Sequence, residues 1–358
     1  MAPLMDDSGK VDNNMKQIEA YFEEEYQVTV ESVESKRKEA DLLFALLTDS
    51  HLSDNGDHTR ANIAAVDQAV KFNFMVHLGD FLTGSTPEKI TRKNLREEIE
   101  GYRSSLNNRI LYVAQGNHDG YRDESYQGQL VDDISLDEKW YEDTCFIDSF
   151  DNVQRPGNKP YYYVDYPEKE IRLIFLCTTS YDIDTDKKIF NKKYELDEAQ
   201  LKWFGEEALR TAAGYTLMVF SHIQPFAEIP FTEQEDNVKW SANYGEIVKL
   251  LQAYQNGNCI EVDGNVYDFC GCSGNVIGWF FGHNHGDFHK MIGGINYVET
   301  TSQVAYVPQL WKAIGEFSGP RDLNTVNEDA WDAAVWCKVE RKLYLYRFGA
   351  GKDRVISY

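Results

Sequence analysis

Five times along this chain, a short apolar run ends directly in a small cluster of histidine, aspartate or asparagine. Leu42-Leu43-Phe44-Ala45-Leu46-Leu47 leads to Asp49-Ser50-His51. Phe74-Met75-Val76-His77-Leu78 leads to Gly79-Asp80, and Ile110-Leu111-Tyr112-Val113-Ala114 leads to Gly116-Asn117-His118-Asp119. Leu217-Met218-Val219-Phe220 leads to Ser221-His222, and Val276 to Phe281 leads to Gly282-His283-Asn284-His285. Continuous apolar runs of this length read as strands covered on both faces. Ligands in α/β sheets gather at the carboxyl ends of strands. A fold that aligns these strands therefore brings all five clusters to one edge.

The remaining pattern supplies the other layers. Ile63, Val66, Ala69 and Val70 recur at helical spacing within Asn62 to Val70, and Leu196 to Leu209 reads as an amphipathic helix. Tyr161 to Tyr166 and Ile171 to Cys177 form an expected hairpin. Trp331 to Tyr358 reads as two or three strands with a turn at Gly349 to Gly351. Strands alternating with helices give an α/β core of α+β type. The added antiparallel pairs point to two sheets packed face to face. Residues 1–40 are acidic and weakly helical, an expected N-terminal helical appendage. Residues 41–358 show no internal repeat, linker or break and are expected to form one domain.

The polar clusters have the composition of a metal site. Imidazole nitrogen and carboxylate oxygen suit zinc, iron, manganese and similar ions. Alternate residues of an extended segment point the same way. Asp49 and His51 could thus share one ion, and His283 and His285 repeat the spacing. The two oxygens of Asp80 would let it bridge two ions. Gly79, Gly116 and Gly282 would let the backbone turn sharply at strand ends. The charge balance makes such a site useful: 36 basic against 59 acidic residues give a net charge of −23. That field repels nucleic-acid backbones and anionic lipid, so an anionic substrate needs a local positive site. A cluster of metal ions would supply one.

In order and strand context, Asp49-x-His51, Gly79-Asp80, Gly116-Asn117-His118-Asp119, His222 and Gly282-His283-x-His285 resemble the calcineurin-like metallophosphoesterases, from about Leu42 to Ser302. The resemblance implies a four-layer α/β/β/α sandwich of two mixed sheets flanked by helices. It implies two divalent metal ions (Mn, Fe or Zn), one held by Asp49, His51 and His285, the other by Asn117, His222 and His283, with Asp80 bridging. A metal-bridging hydroxide would be the nucleophile. His118 would protonate the leaving oxygen, and Asp119 would orient His118.

Departures narrow the branch. Phe81-Leu82-Thr83-Gly84 and Asp119 stand where protein Ser/Thr phosphatases place Asp-Arg-Gly and Glu. Thr83 and His51 stand where purple acid phosphatases place Tyr and Gly. The chain is more similar to the bacterial small-phosphodiesterase branch, and Gln200-Leu201-x-Trp203-Phe204 resembles a helix common there. The expected activity is hydrolysis of a small phosphodiester. The alternatives are a phosphomonoesterase, a DNA nuclease, which the acidic surface opposes, and a non-catalytic scaffold, which the complete ligand set opposes.

Other residues carry plainer expectations. Phe226, Phe231, Trp240, Tyr244, Tyr306 and Trp311 could grip the organic part of a substrate or simply pack loops. His77 reads as structural. His58, His289, Asp57 and Asp287 read as surface residues. Cys259, Cys270 and Cys272 admit a zinc or disulfide reading but lack a fourth ligand at zinc-ribbon spacing. Reduced thiols in a cytoplasmic protein are expected. No apolar run reaches the roughly 20 residues that span a bilayer, and Met1 to Lys10 has no apolar leader core.

Overall fold

The computed structural model describes residues 18–84, 86, 88–119, 136–184, 189–193, 195–223, 243–305 and 321–358. Two sheets form its centre, with strands numbered along the chain. The first runs in spatial order β17 (Arg354–Ser357), β16 (Lys342–Gly349), β15 (Ala330–Cys337), β1 (Leu42–Leu47), β2 (Phe74–His77) and β3 (Leu111–Val113). The second runs β13 (Phe288–Ile292), β14 (Ile295–Glu299), β12 (Asn275–Phe281), β9 (Thr216–Phe220), β6 (Ile171–Phe175), β5 (Tyr162–Tyr166) and β4 (Val153–Gln154). Two hairpins stand apart: β7 (Ser180–Asp184) with β8 (Ile189–Lys193), and β10 (Cys259–Val262) with β11 (Asn265–Asp268).

Both sheets are mixed. β1, β2 and β3 pair in parallel, as do β6, β9 and β12, whereas β15 joins β1 antiparallel. The parallel strands are apolar on both faces because both faces are covered. One core fills the space between the sheets. A chain of aromatic rings crosses it: Phe44 on Phe74 (5.0 Å between ring centroids), Phe74 on Tyr112 (5.3 Å), Tyr112 on Phe175 (5.8 Å), Phe175 on Phe220 (5.0 Å) and Phe220 on Phe280 (5.4 Å). Such tilted and offset pairs each contribute about 0.5–1.5 kcal/mol beyond their area.

Helices cover the outer faces. Ile63, Val66 and Val70 of α2 (Gly56–Val70) and Leu95, Ile99 and Tyr102 of α3 (Glu88–Ser104) are buried with the first sheet. Leu201 and Trp203 of α5 (Glu198–Trp203), with Ile247, Leu251 and Tyr254 of α6 (Tyr244–Asn256), pack on Ile174, Val219 and Trp279 of the second. This is the expected four-layer arrangement. α4 (Leu136–Thr144) joins α3 through Asp143, which accepts from Arg92 and Arg96. The helix expected from Asn62 begins six residues earlier, at Gly56. The amphipathic stretch from Leu196 is helical only to Trp203 and continues as one wider turn through Ala208. Gln200 there closes on the backbone of Cys177, donating to its carbonyl at 2.7 Å and accepting its N–H at 2.9 Å. It thereby ties α5 to the end of β6.

The N-terminal helix α1 (Glu23–Ser35) packs on the body. Phe22 and Val33 are fully buried in the first core, and Phe22 meets Phe348 at 5.5 Å. Among the described residues no helix is long and apolar enough to cross a membrane.

Candidate metal centre

The parallel pairing sends the carboxyl ends of β1, β2, β3, β9 and β12 to a common edge, where the two sheets are stitched together. Gln303 N–H donates to Thr48 O at 2.8 Å, His283 N–H to Asp49 Oδ2 at 3.0 Å, and the His222 ring faces Leu78 O at 3.0 Å. The side chains collected there form two groups of possible ligands: Asp49, His51 and His285, and Asp80, His222 and His283. Within each group the donor atoms lie within 4.8 Å of one another.

Each carboxylate divides its oxygens. Asp49 Oδ2 accepts from Thr48 Oγ1 at 2.7 Å and from His283 N–H. Its Oδ1 is buried without a hydrogen bond and faces His285 Nε2 (3.3 Å) and His51 Nε2 (3.6 Å). Asp80 Oδ1 accepts from His118 N–H at 2.7 Å. Its Oδ2 lies 3.1 Å from His222 Nε2 and 3.7 Å from His51 Nε2, one imidazole from each group. A buried acceptor left without a donor costs about 1–3 kcal/mol. Asp49 Oδ1 is in that position, with His285 Nε2 and His51 Nε2 turned toward it. A cation there would satisfy it, so the residues fit a metal.

Local geometry corrects two expectations. Asp49-Ser50-His51 is not extended: Asp49 has φ 54° and His51 φ 47°. Asp80 (56°), His283 (79°) and His285 (59°) are left-handed as well, a conformation that costs about 1–3 kcal/mol for a residue with a side chain. His283 and His285 stand in different groups, the division that the resemblance implies. Asp80 presents a single oxygen to both groups, since the other is bound to backbone. The glycines differ too. Gly79 needs its positive φ of 104°, but Gly116 and Gly282 serve close approach. A Cβ on Gly116 would stand 2.2 Å from Asp80 Oδ1, and one on Gly282 2.1 Å from Thr48 Oγ1.

Carbonyls set the imidazole tautomers. His51 Nδ1 is 2.8 Å from Leu82 O and His222 Nδ1 is 3.0 Å from Leu78 O, so each donates Nδ1–H and turns the Nε2 lone pair inward. In the metal-free protein both rings hold a further proton tightly. Burial opposes this, but Asp49 and Asp80 override it and raise His51 and His222 to about 9. Burial keeps His283 well below its ordinary value and therefore neutral. Asp49 and Asp80 are ionised against their burial, mainly through the field of His222.

Asn117 is buried in the loop whose next amide holds Asp80 Oδ1. His118 is half-buried, its ring 5.1 Å from that of His51. The orienting role expected of Asp119 falls elsewhere. His118 Nδ1 faces Thr83 O at 2.9 Å, and the Asp119 carboxylate accepts backbone N–H groups from Asp80 (2.9 Å), Phe81 (2.8 Å) and Gly116 (2.8 Å). Asp119 thus clamps the Asp80 loop to the Gly116 loop. Burial and the neighbouring Asp80 raise its carboxyl to about 7 despite those three donors.

His77 is structural, as the sequence reading has it: buried and neutral, lowered by burial to about 3, it accepts Gly79 N–H (3.2 Å) and reaches Ser50 Oγ (3.2 Å), joining two motifs. Other supporting residues escaped that reading. Glu299 accepts the Asn284 backbone N–H at 3.0 Å, holding the residue between the two diverging histidines. Asp287, expected as a solvated loop residue, is half-buried and bound to Arg347 at 2.7 Å, while Thr301 Oγ1 donates to His285 O at 2.8 Å. His58 also departs from a plain surface role, with Nδ1 2.5 Å from the buried Glu328. His289 faces Asn296 Oδ1 at 3.0 Å, and Asp57 pairs with Arg60. Phe226, Phe231, Trp240, Tyr306 and Trp311 lie outside the described residues, as does the side chain of Tyr244.

Residues 42–287, more than half of the chain, match the calcineurin-like phosphoesterase family. The chain belongs to that family. As a calcineurin-like phosphoesterase it is a hydrolase of phosphoester bonds, and the family's chemistry uses divalent metal ions. No curated protein matches it in sequence. Similar solved structures include a predicted phosphoesterase from Streptococcus pneumoniae (10% identity, 88% of this chain and 98% of that one, TM-score 0.31). Vps29 from Entamoeba histolytica (10%, 88% and 99%, 0.33) and phosphopantetheinyl hydrolase from Mycobacterium tuberculosis (10%, 76% and 95%, 0.36) are others.

Proposed function

We propose that this phosphoesterase hydrolyses small phosphodiesters in preference to monoesters, using two divalent ions (Mn, Fe or Zn). The observation that carries the reading is Asp80 Oδ2, which stands between His51 of one ligand group and His222 of the other. Asp49, His51 and His285 would hold one ion, Asn117, His222 and His283 the second, and Asp80 both. Bound ions would supply Lewis acidity toward the phosphoryl group and a hydroxide nucleophile at neutral pH.

The chain's own residues do the rest. Asp49 and Asp80 cancel only part of the ions' charge, leaving a positive site for an anionic ester. His118, held by the Thr83 carbonyl through Nδ1, has Nε2 as the position from which a proton passes to the leaving oxygen. The absence of Asp-Arg-Gly after Asp80 favours small esters over phosphoproteins. Nucleic acid and membranes are not expected partners, given the net charge of −23, and a cytoplasmic location is proposed.

Substitution of His118 tests the acid. His118→Ala should retain its metals and lose about 10²–10⁴ in rate on alkyl esters, with a much smaller loss on nitrophenyl esters, whose leaving group departs without a proton. Equal losses on both, or loss of metal, would refute it. Comparing kcat/KM for an aryl phosphodiester and the matching monoester tests the substrate class. A large monoester preference would overturn the diesterase reading and leave the ligand assignment standing.

A further inference from the structure

Away from the phosphoesterase centre, we propose that the β10–β11 hairpin carries a second metal site, for a single thiophilic divalent cation of the zinc class. Its ligands are Cys259, Asp268 and Cys270, whose donor atoms lie within 4.8 Å of one another.

Strand register assembles this site. Cys259 pairs directly with Asp268 across the antiparallel hairpin, so the two side chains share a face. Cys270 lies two residues past Asp268, in the turn that follows β11, and that turn brings its sulfur back beside Asp268 and Cys259. The alternation is visible in burial. Val262, Tyr267 and Phe269 point inward and are buried, while Cys259, Asp268 and Cys270 are exposed. The inward residues anchor the hairpin in the second core. The Cys270 N–H donates to Asp268 Oδ1 at 2.9 Å, and Arg210 donates to the Asp268 carbonyl, which fixes the turn that carries the ligands.

The sulfur spacing matches that of two thiolates sharing one metal ion. Cys259 Sγ and Cys270 Sγ are 3.9 Å apart. Two thiolates on a tetrahedral zinc, each at about 2.3 Å, stand about 3.8 Å apart. A disulfide requires about 2.05 Å. Two thiolates and one carboxylate make a zinc donor set with water as the fourth ligand, and both thiols release their protons to solvent on binding. Cys272 does not join them: it is buried, with Sγ 3.8 Å from Arg210 Nη1. The site would staple a short exposed hairpin between α6 and β12.

Thiolate-to-cobalt absorption distinguishes this site from the phosphoesterase centre, whose ligands include no sulfur. The full-length protein, reduced and stripped of metal, is loaded with Co²⁺ and separately with Zn²⁺, beside Cys259→Ser, Cys270→Ser and the double variant. The expected result is a near-ultraviolet thiolate–cobalt band in the parent protein alone. Zinc content should fall by one ion per chain in the double variant, with phosphoester hydrolysis unchanged. Equal zinc content in parent and double variant, absence of the band, or a Cys259–Cys270 disulfide formed in the presence of zinc would each overturn the proposal. None of these readouts depends on what the phosphoesterase centre hydrolyses.

Discussion

Asp119→Asn separates a clamp from a proton-relay partner. The carboxylate accepts Asp80 N–H and Gly116 N–H on Oδ2 and Phe81 N–H on Oδ1. An amide in the same place has one accepting oxygen. In its better orientation that oxygen keeps the two bonds to Asp80 and Gly116, and the amide NH₂ then faces the Phe81 N–H, donor against donor. Phe81 is fully buried, so water cannot take over. One buried donor left without a partner costs about 1–3 kcal/mol, and the same loss should appear as a lower denaturant midpoint with unchanged slope. The Asp80 loop would also shift. Misplacement by about 1 Å costs on the order of 10²-fold in rate, so kcat/KM should fall within that bound. Were Asp119 instead the partner of His118, the variant would lower the pKa of the acid and move the basic limb of the pH–rate profile. The expected outcome is destabilisation with that limb in place. A displaced limb at parental stability would refute the clamp.

Gly116→Ala meets no backbone strain, since no positive φ is required, but its Cβ would stand 2.1 Å from Asp80 N and 2.2 Å from Oδ1. The variant should lose metal content and activity together, with about 1–3 kcal/mol of stability; parental metal content would contradict it. Metal affinity should rise with pH. His51 and His222 are raised to about 9 in the metal-free protein, so the stability their protonation provides is full below the unfolded value near 6.5 and lost as pH rises through 9. Metal needs both rings neutral, so affinity should climb up to about 10-fold per unit for each proton released, while the metal-free Tm falls across the same window. Calorimetric titration in buffers of different ionisation enthalpy checks this, and pH-independent affinity would contradict it.

The sequence was most legible where structure and chemistry are local. Strand runs such as Leu42 to Leu47 and the polar residues that follow them could be read directly, because burial on both faces selects the first and ligand chemistry the second. What depended on tertiary contact could not. Asp49 and His51 are left-handed because their amides donate to the carbonyls of Gly79 and Asp80 on the neighbouring loop. Asp119 is adjacent to His118 in sequence, but its side chain turns inward to amides brought from residues 80 and 81. α3 was missed although Thr91, Leu95, Ile99 and Tyr102 are spaced as one helical face, because four buried positions are outnumbered by its charges. The site formed by Cys259, Asp268 and Cys270 requires a hairpin register that spacing alone does not supply.

Metal stoichiometry combined with hydrolysis tests the two-ion phosphoesterase most directly. Protein reconstituted with manganese or zinc is assayed for bound metal and for hydrolysis of an aryl phosphodiester, with Cys259→Ser/Cys270→Ser as the background to exclude sulfur-bound metal. About two ions per chain are expected, with activity abolished by chelation and restored by metal, and Asp80→Ala should weaken both ions because its Oδ2 faces both ligand groups. A single ion at full activity, hydrolysis that survives exhaustive chelation, or full metal content in Asp80→Ala would contradict the account.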